Sequence, residues 1–147
     1  MAKSPIVTSV EIIQIEYEIP DLAIEPIIGI PIYQKGSSIT PKSHVLRINT
    51  DAGISGEYYG GNAVEYAAIP GLASRLIGKN ALDRELFYND AKQALRQQAG
   101  MGRSQIDIAL WDIAGKLFDA PVHQLLGTYR KELPCYASTY IADFDPD

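Results

Sequence analysis

The chain has 147 residues, 46% of them hydrophobic and 21% charged, and carries a formal net charge of -5. This is enough apolar material for one domain with a real core. The acidic balance, with no Lys/Arg block, argues against nucleic acid as a partner. No apolar run approaches membrane-spanning length, and Met1-Ala2-Lys3-Ser4-Pro5 lacks the apolar stretch of a signal peptide, so no membrane partner is expected. The single cysteine, Cys135, rules out an internal disulfide and fits a reducing cytoplasm, which is the expected compartment.

In chain order, Ile6 to Ile19 reads as one long strand, because Ile13, Ile15, Tyr17 and Ile19 alternate with Gln14, Glu16 and Glu18. Leu22 to Pro41 reads as an ordered apolar flap and not as a strand. Pro26, Pro31, Pro41, Gly29 and Gly36 interrupt it, while Ile24, Ile27, Ile28, Ile30 and Ile32 need an apolar surface to rest on. Ser43 to Thr50 and Ile54 to Gly60 read as two further strands, joined by a tight Asp51-Ala52-Gly53 turn into a three-stranded antiparallel meander.

A helix is expected from Ala63, with Asn62 as N-cap and Glu65 in the first turn. Pro70-Gly71 should break or kink it before it resumes to about Ile77. A second helix is expected from Leu82 to Gln98, with Leu82, Leu86 and Phe87 as core candidates. In a third, Ile106, Ala109, Leu110, Ile113, Ala114 and Leu117 recur at helical spacing. Ser104-x-x-Asp107 offers a capping box at its start, and Asp112 and Lys116 form a favourable four-residue pair. Gly115 suggests the close approach of another backbone, and Trp111 is expected to be buried. Pro121 stops the helix, Gly127 caps the short turn that follows, and Leu133 to Thr139 reads as a strand with Cys135 as a small buried hydrophobe. His44 and His123 lack metal-ligand spacing, and Gly60-Gly61 is a turn pair, not a phosphate loop. The residues alone therefore nominate no catalytic group and no metal ligand.

Ile106-Asp107, Ala109-Leu110, Asp112, Gly115-Lys116, Pro121-Val122 and Leu125-Leu126-Gly127 form one ordered pattern. It resembles the signature of the mandelate racemase/muconate lactonizing enzyme branch of the enolase superfamily, with Gln105 standing where that family usually has a small residue. Gly56-Glu57 keeps the latter half of the family's Gly-x-Gly-Glu third-strand motif.

The resemblance implies an α+β fold: an antiparallel meander followed by a helical bundle, as an amino-terminal capping domain over residues 1–128. Residues 129–147 would be a connector and the first strand of a TIM-type barrel. It also implies a metal-dependent parent enzyme that abstracts a proton α to the carboxylate of a small substrate. Racemisation, dehydration (of acid sugars among others) and cycloisomerisation are the implied outcomes, with magnesium held by the parent's barrel. The metal-binding and acid/base residues of that family lie on later barrel strands. This chain is thus expected to hold no catalytic residue, no metal site and no cofactor of its own, and to be inactive alone. Its implied part is to cover the barrel mouth and tune substrate choice through Leu22–Pro41 and Tyr58–Asn62. Ile24, Ile28, Ile30, Tyr33, Tyr58 and Tyr59 are the candidate specificity residues. Apolar surface left bare without the barrel implies a homo-oligomer or self-association. The alternative is a stand-alone binding or assembly module that reuses the fold.

Overall fold

The computed structural model describes residues 4–96 and 102–136. Its contacts divide into two units, one drawn from Met1–Ile15 and Ser43–Tyr129, the other from Glu16–Lys42 and Arg130–Asp147.

The first unit is built on strands β1 (Val7–Glu16), β4 (Lys42–Thr50) and β5 (Ser55–Tyr59), with β4 in the middle. Strands β4 and β5 are antiparallel, placing Leu46 opposite Tyr58, Arg47 opposite Glu57, Ile48 opposite Gly56 and Asn49 opposite Ser55. The pleat sends alternate side chains to opposite faces. Leu46 and Ile48 are fully buried on the helix-facing side. On the other face Arg47 pairs with Glu57 at 2.7 Å and with Glu11 at 3.9 Å. Asn49 donates to Ser9 and Glu11 and accepts from Ser55. Contacts from Asp51 to Ile6, Asn49 to Ser9 and Arg47 to Glu11 run in opposite directions along the two strands, so β1 is antiparallel to β4. The expected meander and its turn are present, with Gly53 at φ 72°.

Helix α1 (Ala63–Leu76) begins as expected. Asn62 Oδ1 accepts from the Val64 and Glu65 amides, and Glu65 returns a carboxylate oxygen to the Asn62 amide at 2.8 Å. Of the break or kink expected at Pro70, the break does not occur: the helix runs through it. Pro70 is exposed, and Tyr66, Ile69, Leu72 and Leu76 are buried on either side of it. Burial of that continuous stripe outweighs the one bond that proline cannot donate.

Helix α2 (Arg84–Ala94) starts later than expected, and Gln98 lies outside the described residues. Phe87, Ala91 and Leu95 form its inner row; Leu86, one position away, is 67% exposed and not a core residue. Helix α3 (Arg103–Phe118) buries Ile106, Ala109, Leu110, Ile113 and Ala114, as its periodicity predicts. The capping box at Ser104 does not form. The helix begins two residues earlier, after a left-handed Gly102 as N-cap, which puts Asp107 inside the second turn; the Ser104 hydroxyl bonds Gln105 instead. Asp119, at φ 48°, ends α3 and turns the chain into the short α4 (Val122–Leu125). The backbone that approaches Gly115 is this return: Ala120 donates to the Gly115 carbonyl, and a Cβ on Gly115 would lie 3.2 Å from the Ala120 oxygen.

The second unit contains an antiparallel hairpin of β2 (Ile19–Ile24) and β3 (Pro31–Ile39). This corrects both the long strand to Ile19 and the strand-free flap. Each proline sits where a ladder tolerates it: Pro20 beside an irregularity at Pro20/Leu22, Pro26 in the turn, Pro31 at the first position of β3, and Pro41 between strands. Asp21, at φ 58°, accepts from the Gly36 amide at 2.8 Å and pins the irregular end. Residues 133–136 are exposed and not in a strand, so Cys135 is exposed, not buried. The remainder of the strand expected to Thr139, and the tail Asp143–Asp147, lie outside the described residues.

Candidate functional site

The hairpin tip carries three of the four candidates from the flap. Its turn is held by one side chain that the sequence reading missed. The Glu25 carboxylate accepts from the Ile27 amide at 3.0 Å and the Ile28 amide at 2.7 Å. Gly29, at φ 70°, closes the turn by donating to the Glu25 carbonyl. This ordered turn holds Ile27 and Ile28 out, 89% and 66% exposed. Ile24 and Tyr33 are also exposed, whereas Ile30 is half-buried. An acid immediately before Pro26 was the available signal; an isolated Glu-Pro pair is too common to read as a built turn.

The other two candidates end β5. Tyr59 is exposed and its hydroxyl bonds Ser43 at 3.0 Å, while Tyr58 packs against the core. Behind them the His44 ring stacks on Tyr66, with centroids 4.5 Å apart. The Tyr66 hydroxyl donates to the His44 carbonyl at 3.1 Å. Burial, helped by nearby Tyr58 and Glu65, pushes the Tyr66 hydroxyl up to about 12, so it acts as a neutral donor. His44 Nδ1 is buried without a hydrogen-bond partner among the described residues.

The signature helix is joined to the sheet by chemistry. Strand β5 is an edge, and an edge strand leaves backbone groups unpaired. Asp112 accepts from the Glu57 amide at 2.8 Å, and Lys116 donates to the Ser55 carbonyl at 2.8 Å and to Asp112 at 2.6 Å. The acid and the lysine of the pattern thus satisfy the outer edge of β5 together. Contact is close because Gly56 has no side chain: a Cβ there would overlap the Ala109 carbonyl oxygen and lie 2.7 Å from Ile113 Cγ1. Gln105, only 2% exposed, reaches Gly61, where a Cβ would lie 3.3 Å from its Nε2. The larger residue at position 105 is accommodated by a glycine across from it. Trp111 is half-buried beneath the Arg84 guanidinium, 3.5 Å from the ring centroid.

No group of three or more His, Cys, Asp or Glu side chains among the described residues is placed to hold a metal ion. The acids nearest one another on the α3 side do not fit magnesium, which takes free oxygen ligands in octahedral array. Asp112 is committed to Lys116 and the Glu57 amide, and Glu57 to Arg47. No helix of the described residues is long and apolar enough to cross a membrane.

A meander with a hairpin between its first two strands, then helices locked to the edge strand by a signature acid and lysine, has known counterparts. The model of the mandelate racemase/muconate lactonizing enzyme amino-terminal domain matches residues 30–127. The chain belongs to this family. Among curated relatives, D-xylonate dehydratase of Haloferax volcanii is 35% identical over 109 residues, covering 67% of this chain and 26% of its own length. D-galactarolactone cycloisomerase of Agrobacterium fabrum is 35% identical over 106 residues, covering 66% and 28%. This chain therefore spans little more than a quarter of these relatives. Among solved structures, D-glucarate dehydratase from Agrobacterium tumefaciens, complexed with magnesium, superposes with TM-score 0.67 at 23% identity over 87% of this chain and 34% of that one. The 3,6-anhydro-D-galactonate cycloisomerase from Zobellia galactanivorans gives 0.63 at 29% identity over 82% and 31%. The α+β fold of an enolase-superfamily amino-terminal domain is thus established for this chain.

Proposed function

We propose that this chain is the capping domain of an enolase-superfamily enzyme that dehydrates or cycloisomerises a sugar acid. The observation that carries the reading is the family match over 30–127 together with relatives that are named dehydratases and cycloisomerases of such acids. Residues 1–128 are the cap, and residues 129–147 lead into the barrel. The parent abstracts a proton α to the substrate carboxylate in a cytoplasmic enzyme. Barrel carboxylates of the parent would hold magnesium, which would supply charge stabilisation to the deprotonated substrate.

The contribution of this chain is steric and apolar. In this reading Ile24, Ile28, Ile30 and Tyr33 of the hairpin, and independently Tyr58 and Tyr59 of β5, tune the choice of substrate; the exposure of Ile24, Ile28, Tyr33 and Tyr59 supports it. A carboxylate-held turn presents Ile28 at low entropic cost, because the tip is ordered before substrate arrives. A panel of sugar acids assayed with the full-length parent, with and without a chelator, tests the reading. Magnesium-dependent turnover of at least one is expected; no turnover of any would overturn it.

A further inference from the structure

Side chains from β4, α1 and α3 meet beneath the loop that joins β5 to α1. Bonds tie down its two ends. Gly60 donates to the His44 carbonyl at 3.1 Å, and the Asn62 amide donates to Glu65 Oε2 at 2.8 Å. The Tyr66 hydroxyl donates to the same His44 carbonyl at 3.1 Å, and its ring stacks on His44. Gly61, at φ 78°, lies between the two ties and rests on side chains. A Cβ there would lie 2.9 Å from Glu65 Oε2, 3.2 Å from Tyr66 Cε2 and 3.3 Å from Gln105 Nε2. Of these three residues, only Gln105 comes from outside α1. It is 2% exposed, and its Oε1 accepts from the Ser104 hydroxyl at 3.0 Å. That bond fixes which end of the amide meets the loop: the nitrogen, with its two donors. A buried amide is stable only in surroundings arranged to receive it, so the side chain and the loop fix each other's position. The loop in turn touches a candidate specificity residue, because a Cβ on Gly60 would lie 3.3 Å from the Tyr58 hydroxyl.

We propose that Gln105 is a positioning residue: from α3 its buried amide braces Gly61, and through Gly60 it sets where the end of β5, with Tyr58 and Tyr59, stands. The contacts run from Gln105 to Gly61, along the backbone to Gly60, and from Gly60 to Tyr58. This inference rests on the reading that Tyr58 and Tyr59 tune the choice of substrate.

The variants Gln105→Ala and Gln105→Met test it, the second keeping the length of the side chain without its donors. In the 147-residue chain, amide exchange at Gly60 and Asn62 should accelerate at least ~10-fold in both variants, with Leu46 on β4 unchanged. In the full-length parent, the ratio of kcat/KM between two sugar acids should shift at least ~5-fold in both. A loss of folded enzyme would lower the two values together and leave their ratio alone. Unchanged exchange at Gly60 and Asn62 would overturn the proposal. So would equal acceleration at Leu46, which would mean a general loosening. Exchange restored to its original rate in Gln105→Met would also overturn it, because the residue would then fill space without a positioning amide. Accelerated exchange with unchanged substrate ratios would sink the specificity reading of Tyr58 and Tyr59 and leave Gln105 as the brace of the loop.

Discussion

Gly56 is the residue on which the helix-to-sheet contact depends. Replacing it with alanine forces a methyl group into the Ala109 carbonyl, a backbone atom that cannot swing aside. Gly56→Ala should cost about 3 kcal/mol in urea unfolding, whereas Gly53→Ala, with open space around it, should show only the strain of its positive φ. An equal loss in the two variants would mean that the close approach is not rigid. Asp107 makes the opposite prediction. Burial raises its proton affinity, and nearby Glu85 adds to this, while Arg84 and Arg103 oppose it; the net direction is up from 3.8. The folded state therefore binds this proton more tightly than the unfolded one, and the associated stability is present below 3.8 and lost as pH rises through the folded value. Asp107→Asn should stabilise the short chain at neutral pH, and the advantage should close on acidification. An Asp107→Asn chain less stable than the parent sequence at neutral pH would contradict this sign.

At the scale of elements, the edge of β5 and the hairpin tip are each held by carboxylates. Asp112→Ala removes the acceptor of the Glu57 amide and the partner of Lys116. Because both side chains are partly exposed, the global cost should be modest, about 1 kcal/mol. The local effect should be larger: exchange of the Glu57 amide should accelerate while that of core strand β4 does not. Glu25→Ala should accelerate exchange of the Ile27 and Ile28 amides by about tenfold, one charge-assisted bond's worth, with no change in global stability. Unchanged exchange at those two amides would show that Gly29 and the hairpin ladder hold the turn unaided.

Much of this was legible in the sequence because it is periodic or local. The alternation of β4 and β5, the Asn62 N-cap and most of the buried stripe of α3 are all short-range patterns, and each formed as read. The errors share a cause. Pro70 was weighed without the stripe that holds α1 together, and the flap prolines were counted without the register that makes each harmless. Ser104 competed with Gly102 for the start of α3, and only Gly102 offers the left-handed backbone found there. At the candidate site, exposed isoleucines could be seen, but the Glu25 turn and the Asp112–Lys116 clamp join side chains to backbone groups whose positions only the fold supplies.

At the scale of the whole molecule, the first unit ties its edge strand to its signature helix, and the hairpin of the second unit holds Ile24, Ile27, Ile28 and Tyr33 exposed. The proposed part of the hairpin in substrate choice belongs to this scale. The most direct test is the ratio of kcat/KM values across a panel of sugar acids for the full-length parent and its Ile28→Ala and Tyr33→Ala variants. Removing apolar bulk from a specificity surface should change relative kcat/KM between substrates by about tenfold or more, with melting temperature unchanged. Identical substrate ratios in all three proteins would contradict the account, and would make the hairpin packing alone.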